Sequence, residues 1–439
     1  MITVPTAQLL DARQRVLSAD AIRAFGRVQQ VVGLVIESSG PEAKIGDLCA
    51  ISLPDQTEAF AEVVGFRGNS VLLMPFDEIV GIGAGNRVRN TGSCLRVPVG
   101  DQLLGRILDG IGNPLEGAKL QSQQTYPIHN TPPSALKRKI ISKPMSTGVR
   151  VVDALITTGV GQRVGIFAGS GVGKSTLLGM IARNSSADVN VIALVGERGR
   201  EVREFIEHDL GPSGLAKSVL VIATSEQPAL VRIKAAFTAT AIAESFRDRG
   251  KNVMLMMDSV TRFATAQREL GLAIGEPPST RGYTPSVFAL LPRLLERAGT
   301  SDRGSITGIY TVLVEGDDTN EPVSDATRAI LDGHIILDRK LANAGHFPAI
   351  AVGESLSRVM PNIVNEKHVR ASNRLRELVS AYRDVEELVA IGAYQKGSKP
   401  IADEAIDKWT AITEFLRQDR GELTNFQDAV AGLEKLTNA

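Results

Sequence analysis

Lys174 and Ser175 close the run Ala168-Gly-Ser-Gly-Val-Gly-Lys-Ser175, and the residue types in this run suit a polyphosphate. Such a ligand needs inward-facing backbone N–H groups, a cation, and a hydroxyl for the metal that travels with it. Gly169, Gly171 and Gly173, with Ser170 and Val172 between them, permit the tight turn. Lys174 supplies a cation for the β/γ-phosphates, and Ser175, followed by Thr176, offers its hydroxyl to Mg²⁺. The run lies where an apolar strand, Val164 to Phe167, should turn into a helix, Ser175 to Ala182, whose positive N-terminal end adds to the anion site. The strict pattern has Gly where this chain has Ala168, but Gly173-Lys174-Ser175 is intact. The plain alternative is a Gly-rich loop with an incidental lysine.

Two other apolar strands end in acids. Val253 to Met257 runs into Asp258, and parallel strands deliver their C-terminal ends to the edge where the phosphate loop sits, so Asp258 can lie near the Mg²⁺ on Ser175. Its alternative is a cap on the helix beginning at Ser259. Val189 to Val195 runs into Gly196-Glu-Arg-Gly-Arg-Glu201. Hydrolysis needs a group that orients and polarises water, and Glu197 is placed for it; the alternative pairs Glu197 with Arg198 or Arg200 on a solvated loop. Arg198 and Arg262 are candidates for stabilising charge near the γ-phosphate, or for ordinary loop ion pairs.

These residues need a scaffold. At 439 residues the chain predicts two to three domains with a sizeable core. Lys plus Arg equals Asp plus Glu, at 49 each, so no global field draws it to nucleic acid. Cys49 and Cys94 suggest neither a zinc site nor a disulfide framework. No apolar run approaches the ~18 residues of a membrane span, so membrane contact would go through partners. Residues 1–23 carry a short helical pattern that reads as a docking arm. From 24 to 97, strand-like runs (Val28 to Ile36, Ala59 to Phe66, Val71 to Met74, Cys94 to Val97) predict a small β-barrel or sandwich. A Gly- and Pro-rich connector then leads into alternating strands and helices, an α/β pattern with a parallel sheet, through residue 362. The helix from Pro228 to Asp248 is expected to be capped by Ser225, to end before Gly250, and to bury Leu230, Ile233, Phe237 and Ala241. Residues 363–439 read as a helical domain broken at Gly397-Ser-Lys-Pro400. His334 and His346 read as structural.

With these motifs in place, the chain resembles the type III protein-export ATPases, relatives of the rotary ATP synthase catalytic subunits. The resemblance runs from Val28-Gln-Gln-Val-Val-Gly-Leu-Val-Ile-Glu37 and Leu103-Leu-Gly-Arg-Ile-Leu-Asp109 through the phosphate loop, including Ala168. It continues in Gly196 to Glu201, Asp258-Ser-Val-Thr-Arg262 and Gly275-Glu-Pro-Pro278. It implies a RecA-like P-loop core, residues 98–362, between the N-terminal β-barrel and the C-terminal helical domain. It also implies ATP and Mg²⁺ as ligands, with Glu197 orienting the water. Arg358, in Ser355-Leu-Ser-Arg358, would be an arginine finger reaching the neighbouring subunit, where the residues alone suggest an ion-paired arginine. Phe347 would stack on adenine, the alternative being a core aromatic. The implied assembly is a homo-hexamer, cytoplasmic and peripheral to a membrane export apparatus. Its implied partners are a regulator or stator-like protein on the N-terminal arm, export gate components, chaperones and exported substrates. Arg268 to Pro278 and Gly282 to Phe288 look closer to the flagellar branch than to the injectisome branch.

Other readings make different demands. An injectisome secretion ATPase shares every catalytic motif. An inactive nucleotide-binding ring subunit, like the alpha subunits of rotary synthases, would carry a non-acidic residue at position 197. An RNA-translocating helicase of the same core would want a basic, aromatic β-domain surface, which the sequence lacks.

Overall fold

The computed structural model describes residues 24–118, 124–314 and 321–438. The proposed arm, residues 1–23, lies outside them. The chain divides into two compact units between Leu95 and Arg96.

In the first unit six antiparallel strands close a barrel in the order Phe25–Val32, Val35–Ser38, Ser70–Pro75, Glu58–Arg67, Asp47–Ser52 and Arg87–Cys94. Alternate residues point inward, and Val28, Ile36, Ile51, Val63, Leu73 and Val88 fill the interior. Closure leaves no unpaired edge. The expected strand Val28 to Ile36 is in fact a hairpin, because Gly33 adopts a left-handed φ of 57° and folds the run back on itself. Asp47–Ser52, which carries Cys49, pairs with both Glu58–Arg67 and Arg87–Cys94 to complete the barrel. The run Cys94 to Val97 is likewise two elements: Cys94 ends a barrel strand, while Arg96–Pro98 pairs with Thr125–Pro127 in the second unit.

The second unit is built on one sheet, ordered Leu356–Ser357, Gly333–Leu337, Arg163–Ala168, Ser305–Leu313, Asn252–Asp258, Val189–Val195, Ser218–Ala223 and Ile107–Asp109, with Gly299–Thr300 paired to Ser305–Ile306. Leu356–Ser357 and Gly299–Thr300 pair antiparallel, and the other pairings are parallel. Val189–Val195 and Ser218–Ala223 are buried at every residue, as central parallel strands covered on both faces must be. The last strand in that order, Ile107–Asp109, comes from the Gly- and Pro-rich connector and pairs with Leu220 to Ile222.

Helix Ala229–Asp248 packs on Val189–Val195, Ser218–Ala223 and Asn252–Asp258. Far from showing one apolar stripe, it is buried around its whole circumference, down to Glu244 and Arg247. Arg297 donates to Glu244 through Nε at 3.0 Å and Nη2 at 2.7 Å and to the Ile128 carbonyl at 2.7 Å, so the buried ion pair also secures the connector. The N-cap is Pro228 with no side-chain cap, which corrects the expectation for Ser225; Gly250 follows the last turn as anticipated. Helices Glu366–Arg383, Pro400–Leu416 and Phe426–Thr437 share their core with the phosphate-loop side of the sheet, through Leu375, Leu378, Ile412 and Leu433. A second break, residues 417–425, separates the last two helices. Among the described residues, no helix is long and apolar enough to cross a membrane.

Candidate active site

The phosphate loop joins strand Arg163–Ala168 to helix Lys174–Asn184. Gly173 caps that helix with φ 93°, a left-handed conformation that costs an L side chain energy and glycine almost nothing. A Cβ at Gly173 would also stand 3.4 Å from the Phe347 ring. That ring therefore lies against the loop. At 46% exposure Phe347 is no core aromatic. Ser175 and Thr176 occupy the first helical turn, half-buried.

Three charged groups converge beside the loop. The Lys174 ammonium donates to Asp258 Oδ1 and lies 3.4 Å from Glu197 Oε1, with all three side chains largely buried. Adjacent parallel strands cause this, since Leu194 stands level with Asp258 and Glu197 follows just beyond the strand end. The Asp258 alternative fails on geometry: the helix Val260–Ile274 is capped by Ser259, whose hydroxyl accepts from the Arg262 N–H at 3.3 Å. Burial opposes the charge on Lys174, but the Asp258 and Glu197 carboxylates outweigh it and move its pKa up. Burial, reinforced by the Asp258 charge, pushes the Glu197 carboxyl up to about 7 against the opposing pull of Lys174. A carboxylate poised near neutrality, in reach of a bound phosphate and partly shielded from water, can accept a proton from an attacking water.

The arginines behave differently from one another. Arg262 packs its Cβ and Cγ over Gly196, where a Cβ would come within 2.8 Å, and its charge favours ionised Glu197. Arg198 turns away; its side chain is 73% exposed and pairs with Glu201 at 3.6 Å, so the loop ion-pair alternative describes it. Arg358 follows the edge strand Leu356–Ser357 and is exposed. Among the described residues, its guanidinium has no carboxylate partner, contrary to the ion-paired alternative. Its N–H donates to the Asp332 carbonyl, and Asp332 is level with Arg163, at the opposite end of the sheet from the phosphate loop. Five residue steps, 163 to 168, at ~3.3 Å each separate them by ~16 Å, beyond the reach of an arginine side chain. Arg358 cannot serve its own loop.

Two positions carry the site without having been singled out from sequence. Thr311, fully buried, donates its hydroxyl to Asp258 Oδ1 at 2.7 Å, the same oxygen that accepts from Lys174, and so helps to fix the carboxylate. Thr311 is one of three hydroxyl residues, with Thr307 and Tyr310, in the otherwise apolar run Ile306 to Val314, and only strand pairing shows which of them meets Asp258. Arg339 donates to the Ser170 carbonyl at 3.0 Å, clamping the loop to the segment that follows Gly333–Leu337.

The profile of the ATP synthase alpha/beta family nucleotide-binding domain matches residues 148–357, that family's beta-barrel domain matches 28–92, and the T3SS EscN ATPase C-terminal domain matches 364–435. The flagellum-specific ATP synthase of Bacillus subtilis (strain 168) is 56% identical over 95% of this chain and 96% of its own length. The chain belongs to the flagellar and type III secretion ATPases. The type 3 secretion system ATPase of Xanthomonas euvesicatoria is 52% identical, over 95% of each chain. The assembled ATPase EscN of the enteropathogenic E. coli type III secretion system superposes with a TM-score of 0.89 at 48% identity, covering 94% of this chain and 100% of that one. EscN has also been solved in complex with its central stalk EscO, with a TM-score of 0.87. This export ATPase therefore binds and hydrolyses ATP, and the Lys174, Glu197 and Asp258 cluster lies within the residues that match the nucleotide-binding domain.

Proposed function

We propose that this chain hydrolyses Mg²⁺-ATP in a ring of six copies, and that hydrolysis serves type III protein export, in the flagellar branch. The observation that carries the hydrolytic part is the convergence of Lys174, Glu197 and Asp258 at the strand ends beside the phosphate loop. The glycine loop, Gly169 to Gly173 with Lys174, holds the phosphates, and Phe347 faces the adenine. Ser175 and Asp258 present oxygen donors, the ligand type Mg²⁺ selects, and the ion would neutralise charge on the β- and γ-phosphates. Glu197 takes the proton of the attacking water. Arg262 biases Glu197 toward its ionised form, and Arg358 of a neighbouring copy stabilises charge on the transferring phosphoryl group.

Residues 24–95 form the barrel domain, 96–362 the ATPase domain and 363–439 the helical domain, the first boundary falling two residues before the expected 97 because Arg96–Pro98 pairs with Thr125–Pro127. The arm, 1–23, docks a regulator or stator-like export protein. Support for a stalk partner, and for assembly, comes from EscN, which has been solved both assembled and with EscO. Work at a cytoplasmic membrane surface then proceeds through gate components, chaperones and substrates. Because relatives of both branches match at 52–56% identity, injectisome secretion is the second reading.

Deleting the gene and assaying culture supernatants tests the proposal. Flagellar filament and hook proteins should disappear from the medium and return with the full chain, while a chain starting at residue 24 should hydrolyse ATP yet restore secretion poorly. Undiminished flagellar secretion in the deletion strain contradicts the flagellar reading, and a selective loss of needle and effector secretion replaces it with the second.

A further inference from the structure

We propose that Leu136 and Ile140 form an apolar docking ridge for a second copy of this chain, on the same face that presents Arg358. The inference rests on the reading of Arg358 as a trans-acting residue. Leu136 is 98% exposed and Ile140 89%, the two most exposed large apolar side chains among the described residues. Neither belongs to a slack loop. Between and just after them, Arg138 donates to the Ala298 carbonyl at 2.9 Å, the Lys139 carbonyl accepts from Thr300 Oγ1 at 2.6 Å, and the Lys143 carbonyl accepts from the Val160 N–H at 2.9 Å. The segment is thus pinned while two large apolar side chains four residues apart face water, and a partner surface covering them would remove that apolar area from water.

The location indicates which partner. The next residue, Ile141, turns inward onto Gly159, where a Cβ would come within 2.3 Å of Ile141 and 3.3 Å of Val359. Ile141 and Val359 therefore meet over the same glycine, and the ridge lies beside Arg358. Leu356, on the edge strand two residues before Arg358, is also 48% exposed. All of this lies at the edge where the parallel strands begin, whereas the phosphate loop lies where they end. A guanidinium at one edge and its target at the other can meet only head to tail, through two different surfaces of successive copies, and such contacts build rings where the rotation between copies closes. Whatever receives Arg358 must also cover its neighbours on that edge. The exposed lysines 137, 139 and 143 supply the polar rim that flanks the apolar centre of an interface.

The test uses the full chain carrying Leu136→Ser and Ile140→Ser together, with sedimentation velocity in Mg²⁺ and a non-hydrolysable ATP analogue, and specific ATPase activity against protein concentration. The concentrations for half-assembly and for half-maximal activity should both rise ~10-fold or more, the scale expected for two apolar anchors left out of each contact. Saturating activity at high concentration should match the unaltered chain, and an unchanged thermal transition would exclude misfolding. A half-assembly concentration within about twofold of the unaltered chain overturns the ridge; if binding to anionic phospholipid vesicles falls instead, the strip serves a lipid surface and the proposal fails equally. Complementation between Arg358→Ala and Glu197→Gln chains with the ridge intact reports separately on the shared site, so an unmoved midpoint with preserved complementation removes the ridge alone.

Discussion

Glu197→Gln will bind ATP and scarcely hydrolyse it. The substitution keeps the shape of a side chain that is almost fully buried beside Lys174 and removes only its capacity to accept a proton. In the proposed site the ground-state contacts to the phosphates would come from the loop and Lys174, so affinity should persist while kcat falls ~10²-fold or more, the usual contribution of a positioned base. The pH profile provides a second check. Burial and Asp258 hold the Glu197 carboxyl at about 7, above its ordinary value, so the competent ionised form gains as pH rises through that point. In the unaltered enzyme kcat/KM, which reports groups of the free enzyme, should climb between about pH 6 and 8 and then level. Glu197→Gln should lose that limb. Joint loss of binding and hydrolysis would make Glu197 a structural residue.

Lys174→Ala should fail earlier, at binding. The lysine is the loop's own cation, and its removal also leaves Asp258 and Glu197 without the ammonium that pairs with both. The largely buried Asp258 carboxylate, deprived of its ammonium partner, then repels a polyanion. Isothermal titration should show ATP affinity weakened ~10²-fold or more, with turnover near background. Normal turnover would remove the phosphate site from Lys174.

What the sequence made legible follows a physical division. The phosphate loop, Asp258 and Glu197 were readable because each sits at a strand end, and in a parallel sheet strand ends share one edge; spacing along the chain was enough. Arg198 misled because its neighbour Glu201, one helical turn on, offers a solvated ion pair that spacing alone cannot tell from an active-site contact. Thr311 and Arg339 act across strand pairings, 53 and 169 residues from the groups they hold, so no local pattern could announce them. The barrel was legible as a class, but Gly33 broke one expected strand into two, and the connector strand Ile107–Asp109 was too short to stand out. The isolation of Arg358 and the exposure of Leu136 and Ile140 become visible only once the sheet has two ends.

The central claim is that each catalytic site is completed by a neighbouring copy. Arg358→Ala and Glu197→Gln chains, each inactive alone and each able to assemble, should be mixed, allowed to co-assemble, and assayed for ATP hydrolysis. Some contacts in a mixed ring join an intact Glu197 to an intact Arg358, so activity should return, rising to a maximum near equal proportions of the two. Co-assembly demonstrated by tagged chains with no recovered hydrolysis at any ratio would contradict the account.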